Sequence, residues 1–373
     1  MSFKVEFLKS FDSAFGGFAS SLLKLIVRPR VRAKEFRPKI LVIRPGGIGD
    51  AALLFPALKE LRDSFKDSEI NVLAEKRNAG ILMGCSYFNN LFLYDSRPPL
   101  ELFNIIRSDY DIAIDTEQWH RLTAALSYFT GAPIRTGFAT NEREKLFTHP
   151  VQYFHDDYEV KSFLNLVSAV TGKQYDFNDN EPFIPLDANV VSKVMHEIVE
   201  FRKKWMTVVG VFAGATIPER RWGIRRFAEL TKSLVREGIG TVIVGGRVDI
   251  KDSRNFAEIA GTENILNLIG RTSLDETAAV ISLLDLFVTG DTGLMHLSYG
   301  VGTPTVSLFG AGIQEKWAPV GKRHLVINKN LSCSPCTKFG HTPRCPYQVK
   351  CLGDITVNEV KEAVLELLLL HNK

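Results

Sequence analysis

Twice along this chain a short apolar run breaks into a glycine-bearing turn and then into a helical pattern. Ile40-Leu41-Val42-Ile43 leads into Arg44-Pro45-Gly46-Gly47-Ile48-Gly49-Asp50, and Leu286-Phe287-Val288 leads into Gly290-Asp291-Thr292-Gly293-Leu294-Met295-His296-Leu297-Ser298. Past the first turn, Leu54, Leu58, Leu61 and Phe65 share one helical face; past the second, Leu294, Leu297 and Ser298 keep helical spacing. Strand, turn and helix in that order are the grammar of a parallel sheet with helices on both sides. A turn of this kind points backbone N–H groups and the positive end of a helix outward, where an anion can sit. Taken alone, Asp291 reads equally well as the N-cap of an ordinary helix.

The pattern recurs along the chain. Further strands are expected at Ile70–Ala74, Leu91–Tyr94 and Ile112–Asp115, then at Thr207–Phe212, Thr241–Val244 and Thr303–Phe309, with a short apolar segment at Leu266–Gly270. Helices are expected over Ala51–Phe65, Val190–Lys204, Ile224–Arg236, Leu274–Leu284 and Thr356–Leu370. With 373 residues the chain exceeds one ordinary core, so two domains are expected. The polar stretch 172–190, with Asn178-Asp179-Asn180-Glu181-Pro182, reads as the linker. The expected organisation is an N-terminal segment 1–37, a Rossmann-like domain 38–185, a second one 186–355, and a terminal helix 356–373 packing back towards the first domain.

Composition excludes some partners. The charged fraction is 24% and the formal net charge only +4, so nothing global suggests nucleic-acid binding. The charge is concentrated, however: Arg28, Arg30, Arg32, Lys34, Arg37 and Lys39 face only Glu35. Before them, Phe3, Phe7, Phe11, Phe15, Phe18, Leu22, Leu25 and Ile26 give a helix over about 2–27 one aromatic face. Lys4, Glu6, Lys9, Asp12 and Lys24 break any signal-peptide core or membrane span. Two readings stand side by side: a helix lying on an anionic membrane surface, or one packed on the protein's own body or on a second subunit.

In a doubly wound sheet the ligand sits beyond the carboxyl ends of the strands, so both glycine turns face sites. Gly47-Ile48-Gly49-Asp50-Ala51-Ala52 matches a dinucleotide fingerprint, with Glu75 where a ribose-binding acid would stand. Asp50 argues against that match, because its carboxylate would enter the volume the phosphates need. Held at a helix start, it can serve instead as a general base on a substrate hydroxyl. Asp115-Thr116-Glu117-Gln118-Trp119-His120-Arg121 and Arg135-Thr136-Gly137-Phe138 are polar enough to line the cleft or to be surface loops. In the second half, Thr216, Arg220 and Arg221 supply a hydroxyl and two fixed cations opposite the Asp291–His296 turn, as a diphosphate requires.

With these blocks in view, residues 38–360 resemble glycosyltransferase family 9, the ADP-heptose:lipopolysaccharide heptosyltransferases. Lys39–Asp50, Gly214–Trp222, Gly290–Leu297 and Cys333-Ser334-Pro335-Cys336 with Cys345, Cys351 and Leu352 carry the likeness, and Asp-Thr-Gly-Leu-Met-His-Leu most of all. The resemblance implies a GT-B fold: two α/β, Rossmann-like, doubly wound domains facing across a cleft, preceded here by the amphipathic helix. It implies inverting transfer of a heptose from ADP-heptose to a lipopolysaccharide inner-core acceptor, with Asp50 as the base. Thr216, Arg220, Arg221, Asp249, Asp291, Thr292, Gly293, Leu294 and His296 would bind the donor. Gly46, Gly47 and Gly49 would form the turn, and Arg44, Glu117, His120 and Arg121 would bind the acceptor. Arg220 departs from the family's usual Lys, and Gly223 stands where relatives commonly have Pro.

No Asp-x-Asp motif lies near the donor residues, so transfer without a metal or other cofactor is expected. The thiols Cys333, Cys336, Cys345 and Cys351 form C-x2-C-x8-C-x5-C, which could close a structural metal site or remain reduced. The expected setting is the cytoplasm, as a monomer, peripheral on the inner face of the cytoplasmic membrane. Two rivals remain at this level: a nucleotide-dependent oxidoreductase using Gly47–Ala52, and a non-catalytic sugar-nucleotide or lipid-binding protein.

Overall fold

The computed structural model describes residues 37–261, 264–338 and 340–371. The aromatic N-terminal pattern and most of the basic run therefore lie outside the described residues. The chain divides into two compact units between Phe177 and Asn178. This break falls inside the polar stretch 172–190 but before the expected boundary at 185. Phe183 and Ile184 belong to the second unit, both donating their N–H groups to the Gly300 carbonyl.

The first unit holds strands β1 (Ile40–Arg44), β2 (Ile70–Ala74), β3 (Asn90–Leu93), β4 (Ile112–Asp115), β5 (Ile134–Phe138) and β6 (His149–Val151). The second holds β7 (Thr207–Phe212), β8 (Ile239–Ile243), β9 (Ile265–Asn267), β10 (Leu286–Gly290), β11 (Thr305–Phe309) and β12 (His324–Asn328). Their orders are β3-β2-β1-β4-β5-β6 and β12-β11-β10-β7-β8-β9, with every pairing parallel. Renumbered from its own first strand, the second sheet has the order of the first, which is that of a dinucleotide-type doubly wound fold. The order reverses between β1 and β4, and again between β7 and β10. Those are the two places where such a sheet opens a crevice for a ligand.

The central strands form because they are apolar on both faces: Ile40 to Ile43 and Leu286 to Val288 are fully buried. The expected single helix after β1 is two, α1 (Ile48–Leu53) and α2 (Phe55–Ser64). Pro56 is the cause, since it lacks an N–H and its ring clashes with the carbonyl four residues back. Three other helices of the first unit bear on the site: α3 (Lys76–Leu82), α4 (Arg121–Phe129) and α5 (Glu159–Thr171).

In the second unit, α6 (Ile224–Arg236) and α7 (Gly293–Gly300) follow β7 and β10, α8 (Gln314–Trp317) follows β11, and α9 (Val357–His371) ends the chain. Val360, Val364 and Leu367 of α9 are fully buried in one cluster with Leu230 and Leu234 of α6 and with Val288 of β10. Trp222 Nε1 donates to the Ile355 carbonyl at 2.9 Å just before it. Its apolar face thus completes the core of the second unit, and the exposed remainder is Leu369 and Leu370. Among the described residues no helix is long and apolar enough to cross a membrane.

Candidate functional site

The loops after β1, β4, β7 and β10 are those that flank the two reversal points, and they carry the sequence-predicted residues except Asp249, which follows β8. In the second unit, β10 ends at Gly290 and α7 starts at Gly293, with Thr292 as its N-cap. The Thr292 hydroxyl caps nothing; it meets Thr289 Oγ1 at 3.2 Å. The first N–H groups of α7, from Gly293 and Leu294, are therefore left for a ligand. Leu294 contributes only this N–H, because its side chain is buried.

Arg220, from the loop after β7, brings Nη1 to 2.9 Å from Asp291 Oδ2. The contact is an ion pair whose angle does not make a hydrogen bond, since Asp291 Oδ2 and Arg220 Nε are both buried without a hydrogen-bond partner. Arg220 Nη2 donates to Thr337 Oγ1 at 3.4 Å, and its guanidinium carbon lies 5.8 Å from the centre of the Trp317 ring. Close packing holds this turn: a Cβ on Gly312 would lie 2.0 Å from Asp291 Oδ2, and one on Gly290 would lie 3.1 Å from the Arg220 carbonyl oxygen.

His296 sits one turn into α7, 5% exposed, with Nδ1 buried and unpartnered. Burial lowers its pKa to about 4, with Arg220 acting in the same direction and Asp291 opposing. At neutral pH it is an uncharged imidazole that can donate one hydrogen bond, not an acid. The unfolded chain binds the proton more tightly than the folded one. Stability is thus expected to be full above about pH 6.5 and to fall by roughly 3 kcal/mol as the pH drops towards 4. Replacing His296 with Asn should flatten that part of a urea-melt pH profile; an unchanged slope would show that His296 is not the group responsible.

Asp249 lies in the turn after β8, its Oδ2 accepting from Gly246 N at 2.8 Å. A Cβ on Gly214 would lie 2.8 Å from Asp249 Oδ1, so Gly214 and this carboxylate are in close apposition. Phe212, Ala213, Gly214, Val244, Asp249 and Ile269 line one pocket, an apolar slot with one carboxylate. Thr216 is exposed, and Arg221, also exposed, donates from Nε to the Ala215 carbonyl at 2.8 Å. Among the described residues no side-chain hydrogen bond or ion pair joins either of them to Arg220, Asp291 or His296.

In the first unit only Gly46 of the three turn glycines has a left-handed backbone, with φ +91°. Gly47 is the extended N-cap of α1 and Gly49 lies within the helix, where other residues fit. Asp50 is half-buried in the first turn of α1, and among the described residues its carboxylate has no hydrogen-bond or ion-pair partner. Arg44 is 1% exposed: Nε donates to the Pro45 carbonyl, Nη1 to the Thr116 carbonyl at 3.0 Å, and Nη2 stands 3.9 Å from Glu117 Oε2.

Glu117 in turn accepts from the N–H groups of Trp119 and His120 through Oε1. Burial pushes its pKa up, but His120, Arg44 and Arg143 together outweigh it and hold Glu117 below the usual carboxylate range. Asp115 and Glu117 are both tied to Arg143, through its ion pair and its bond to the Glu117 carbonyl. Arg121 pairs with Glu142 at 2.8 Å. The expected acceptor residues thus form a charge network tying the loops after β1, β4 and β5 together, with Arg44 and Glu117 largely committed inside it.

The dinucleotide reading of the first turn does not fit. Glu75 caps α3 with Asn78, accepts from Tyr94, and binds Arg77 Nε at 2.5 Å, so it is not a free ribose acceptor. Arg77, Gly312, Trp317 and Thr337 were not singled out from sequence. Gly312 and Thr337 had no local signal, whereas Arg77 lies in the first turn of the helix after β2, near the carboxyl end of that strand. Of the thiols, Cys333 is exposed, Cys336 and Cys345 are half-buried and Cys351 is buried, all unbonded. Among the described residues no cluster of His, Cys, Asp and Glu is placed to hold a metal ion.

Comparison with known proteins follows the same lines. The structure superposes on Escherichia coli ADP-heptose lipopolysaccharide heptosyltransferase II with a TM-score of 0.73 at 24% identity, covering 90% of this chain and 100% of that one. A family 9 glycosyltransferase from Veillonella parvula superposes at 0.72 with 22% identity, over 90% and 99%. In sequence, lipopolysaccharide heptosyltransferase 2 of E. coli K12 is 32% identical over 124 residues, 32% of this chain and 36% of that protein. The Salmonella typhimurium counterpart aligns over 47% of its length, so these two relatives are matched over about a third to a half of theirs. Lipooligosaccharide heptosyltransferase 2 of Campylobacter jejuni aligns over 88% of this chain and 99% of its own at 21% identity. The family profile described as glycosyltransferase family 9 (heptosyltransferase) matches residues 100–345, which take in the loops after β4, β7 and β10, and the chain belongs to that family.

Proposed function

We propose that this protein is an inverting glycosyltransferase that moves a heptose from ADP-heptose to an inner-core lipopolysaccharide acceptor, with Asp50 as the general base. One observation carries the donor half of this reading: three buried polar atoms, Arg220 Nε, Asp291 Oδ2 and His296 Nδ1, lack hydrogen-bond partners at one uncapped helix start. Buried polar atoms left unpaired are costly, and a diphosphate with its ribose can supply the missing acceptors and donors. The slot beside Asp249 suits an apolar base face with a ribose hydroxyl on the carboxylate.

Displacement at the anomeric carbon needs a proton acceptor on the incoming hydroxyl and stabilisation of the departing diphosphate. Asp50, unpaired and partly open, can take the proton. Arg220 and the N–H groups at the start of α7 stabilise the departing charge, and neutral His296 adds a hydrogen bond. The leaving diphosphate requires no proton, so no acid is assigned. A lipid-linked acceptor implies working at the inner face of the cytoplasmic membrane, a reading that the basic run 28–39 supports by charge.

A thermal-shift screen against ADP, UDP, GDP, CMP, NAD and ADP-heptose tests the donor. Ligand at about 100 times its dissociation constant adds about 2.7 kcal/mol, a shift of several degrees. The expected result is a shift with ADP and ADP-heptose and none with the others. A shift with NAD alone would reject the reading.

A further inference from the structure

Above Gly46 two guanidinium groups and the Asp50 carboxylate converge on one point. A Cβ on Gly46 would lie 3.2 Å from Arg44 Nη2, 3.8 Å from Arg77 Nη2 and 3.9 Å from Asp50 Oδ2. The residue there cannot readily carry a side chain in any case, because its φ is +91°. The absence of a side chain at Gly46 therefore leaves these N–H donors uncovered.

Both arginines are anchored so that donors remain. Arg44 is 1% exposed and spends Nε and Nη1 on the carbonyls of Pro45 and Thr116, while Nη2 is left with only Glu117 Oε2 at 3.9 Å. Arg77 is held at Nε by the buried Glu75, itself fixed by Tyr94, and among the described residues its two Nη groups have no partner. A guanidinium clamped at Nε by a buried carboxylate presents its Nη groups as a fixed fork, the geometry that binds a carboxylate or phosphate.

We propose that Arg77 and Arg44 form an oxyanion subsite over Gly46 that binds an acidic group of the acceptor, a carboxylate or phosphate, beside Asp50. The inference rests on the reading of Asp50 as the base on the acceptor side. It makes Arg77 the residue that selects an acidic acceptor over a neutral one. Asp50, Glu75 and Glu117 oppose an anion electrostatically, but Glu75 and Glu117 are already paired to these two arginines. The bound group would thus meet the unused N–H donors and only the Asp50 charge.

Calorimetric titration of the full chain with inorganic phosphate, and separately with acetate, tests the subsite. Arg77→Ala and Arg77→Gln should each remove one saturable site or weaken it at least about tenfold, the size of losing hydrogen bonds to a charged group. Arg77→Lys should recover part of the affinity. Because Arg77→Ala and Arg77→Gln leave the buried Glu75 without its cation, their thermal midpoints should fall, and far-ultraviolet circular dichroism at the titration temperature shows that they are folded. Titrations indifferent to Arg77 overturn the proposal.

A second arm separates acceptor recognition from capture of free ions. With a core oligosaccharide as acceptor, Arg77→Ala should raise KM about tenfold, and should leave KM unchanged for the same oligosaccharide after carboxyl reduction and dephosphorylation. An equal rise for both overturns the assignment to the acceptor. Asp50→Asn distinguishes the two readings: retained turnover in that variant defeats the base, while the Arg77 titrations stand or fall by themselves.

Discussion

Asp50→Asn should abolish turnover, by roughly 10²–10⁴-fold for loss of a general base, while leaving ADP-heptose binding unchanged. The substitution keeps the shape of the side chain and removes only the ability to accept a proton. Because the Asp50 carboxylate has no hydrogen-bond or ion-pair partner among the described residues, Asn leaves no orphaned charge and the thermal midpoint should hold. Single-turnover kinetics with pre-bound donor separates the outcomes. Full activity in the variant would mean that another group takes the acceptor proton. A loss of donor affinity would place Asp50 in donor binding. The same experiment discriminates against a non-catalytic binding protein, in which no turnover exists to lose.

The second large effect is expected at Arg220. Arg220→Ala removes the cation 2.9 Å from Asp291, a carboxylate only 4% exposed, and leaves that charge buried and unpaired. Breaking a buried pair in this way costs about 3–5 kcal/mol of stability, so the thermal midpoint should fall by several degrees. Turnover should fall about 10²–10³-fold, as for loss of one donor to a developing negative charge. Arg220→Lys keeps the charge and should restore both stability and most of the rate, though without the bond to Thr337 or the stacking on Trp317. Circular-dichroism melts and initial rates read both effects. If the alanine variant melts normally and turns over at the original rate, the Arg220–Asp291 pair has no part in the donor site.

Much of this molecule was legible along the chain. The central strands β1, β4, β7 and β10 are covered on both faces, so their apolar runs announce them, and the turns after β1, β7 and β10 carry glycine, with Asp50 and Asp291 in the first and last of these. The doubly wound order follows from that alternation. Strands β5, β6 and β12 were not legible. Arg135 and Thr136 make β5 look like a loop, yet Arg135 spends Nε and Nη1 on the carbonyls of Leu146 and Ala132 and stacks on Tyr128. Gly137 there makes room for the Phe147 ring, since a Cβ would lie 2.2 Å from it.

What each charged residue does was decided by the tertiary structure alone. Arg44 reads as an acceptor contact, and its bond to the Thr116 carbonyl, 72 residues away, fixes which of its donors are spent inside the fold. Glu75 reads as a ribose acid until Arg77 and Tyr94 claim it. The terminal helix likewise presents a Leu-rich face that any apolar surface could accept, and the core of the second unit is what covers it. The sequence by itself determined which segments are strands covered on both faces and which turns follow them, because periodicity and glycine are local properties. Which donors and acceptors are consumed inside the fold and which stay open to a ligand depends on partners far along the chain, and only the folded packing chooses those.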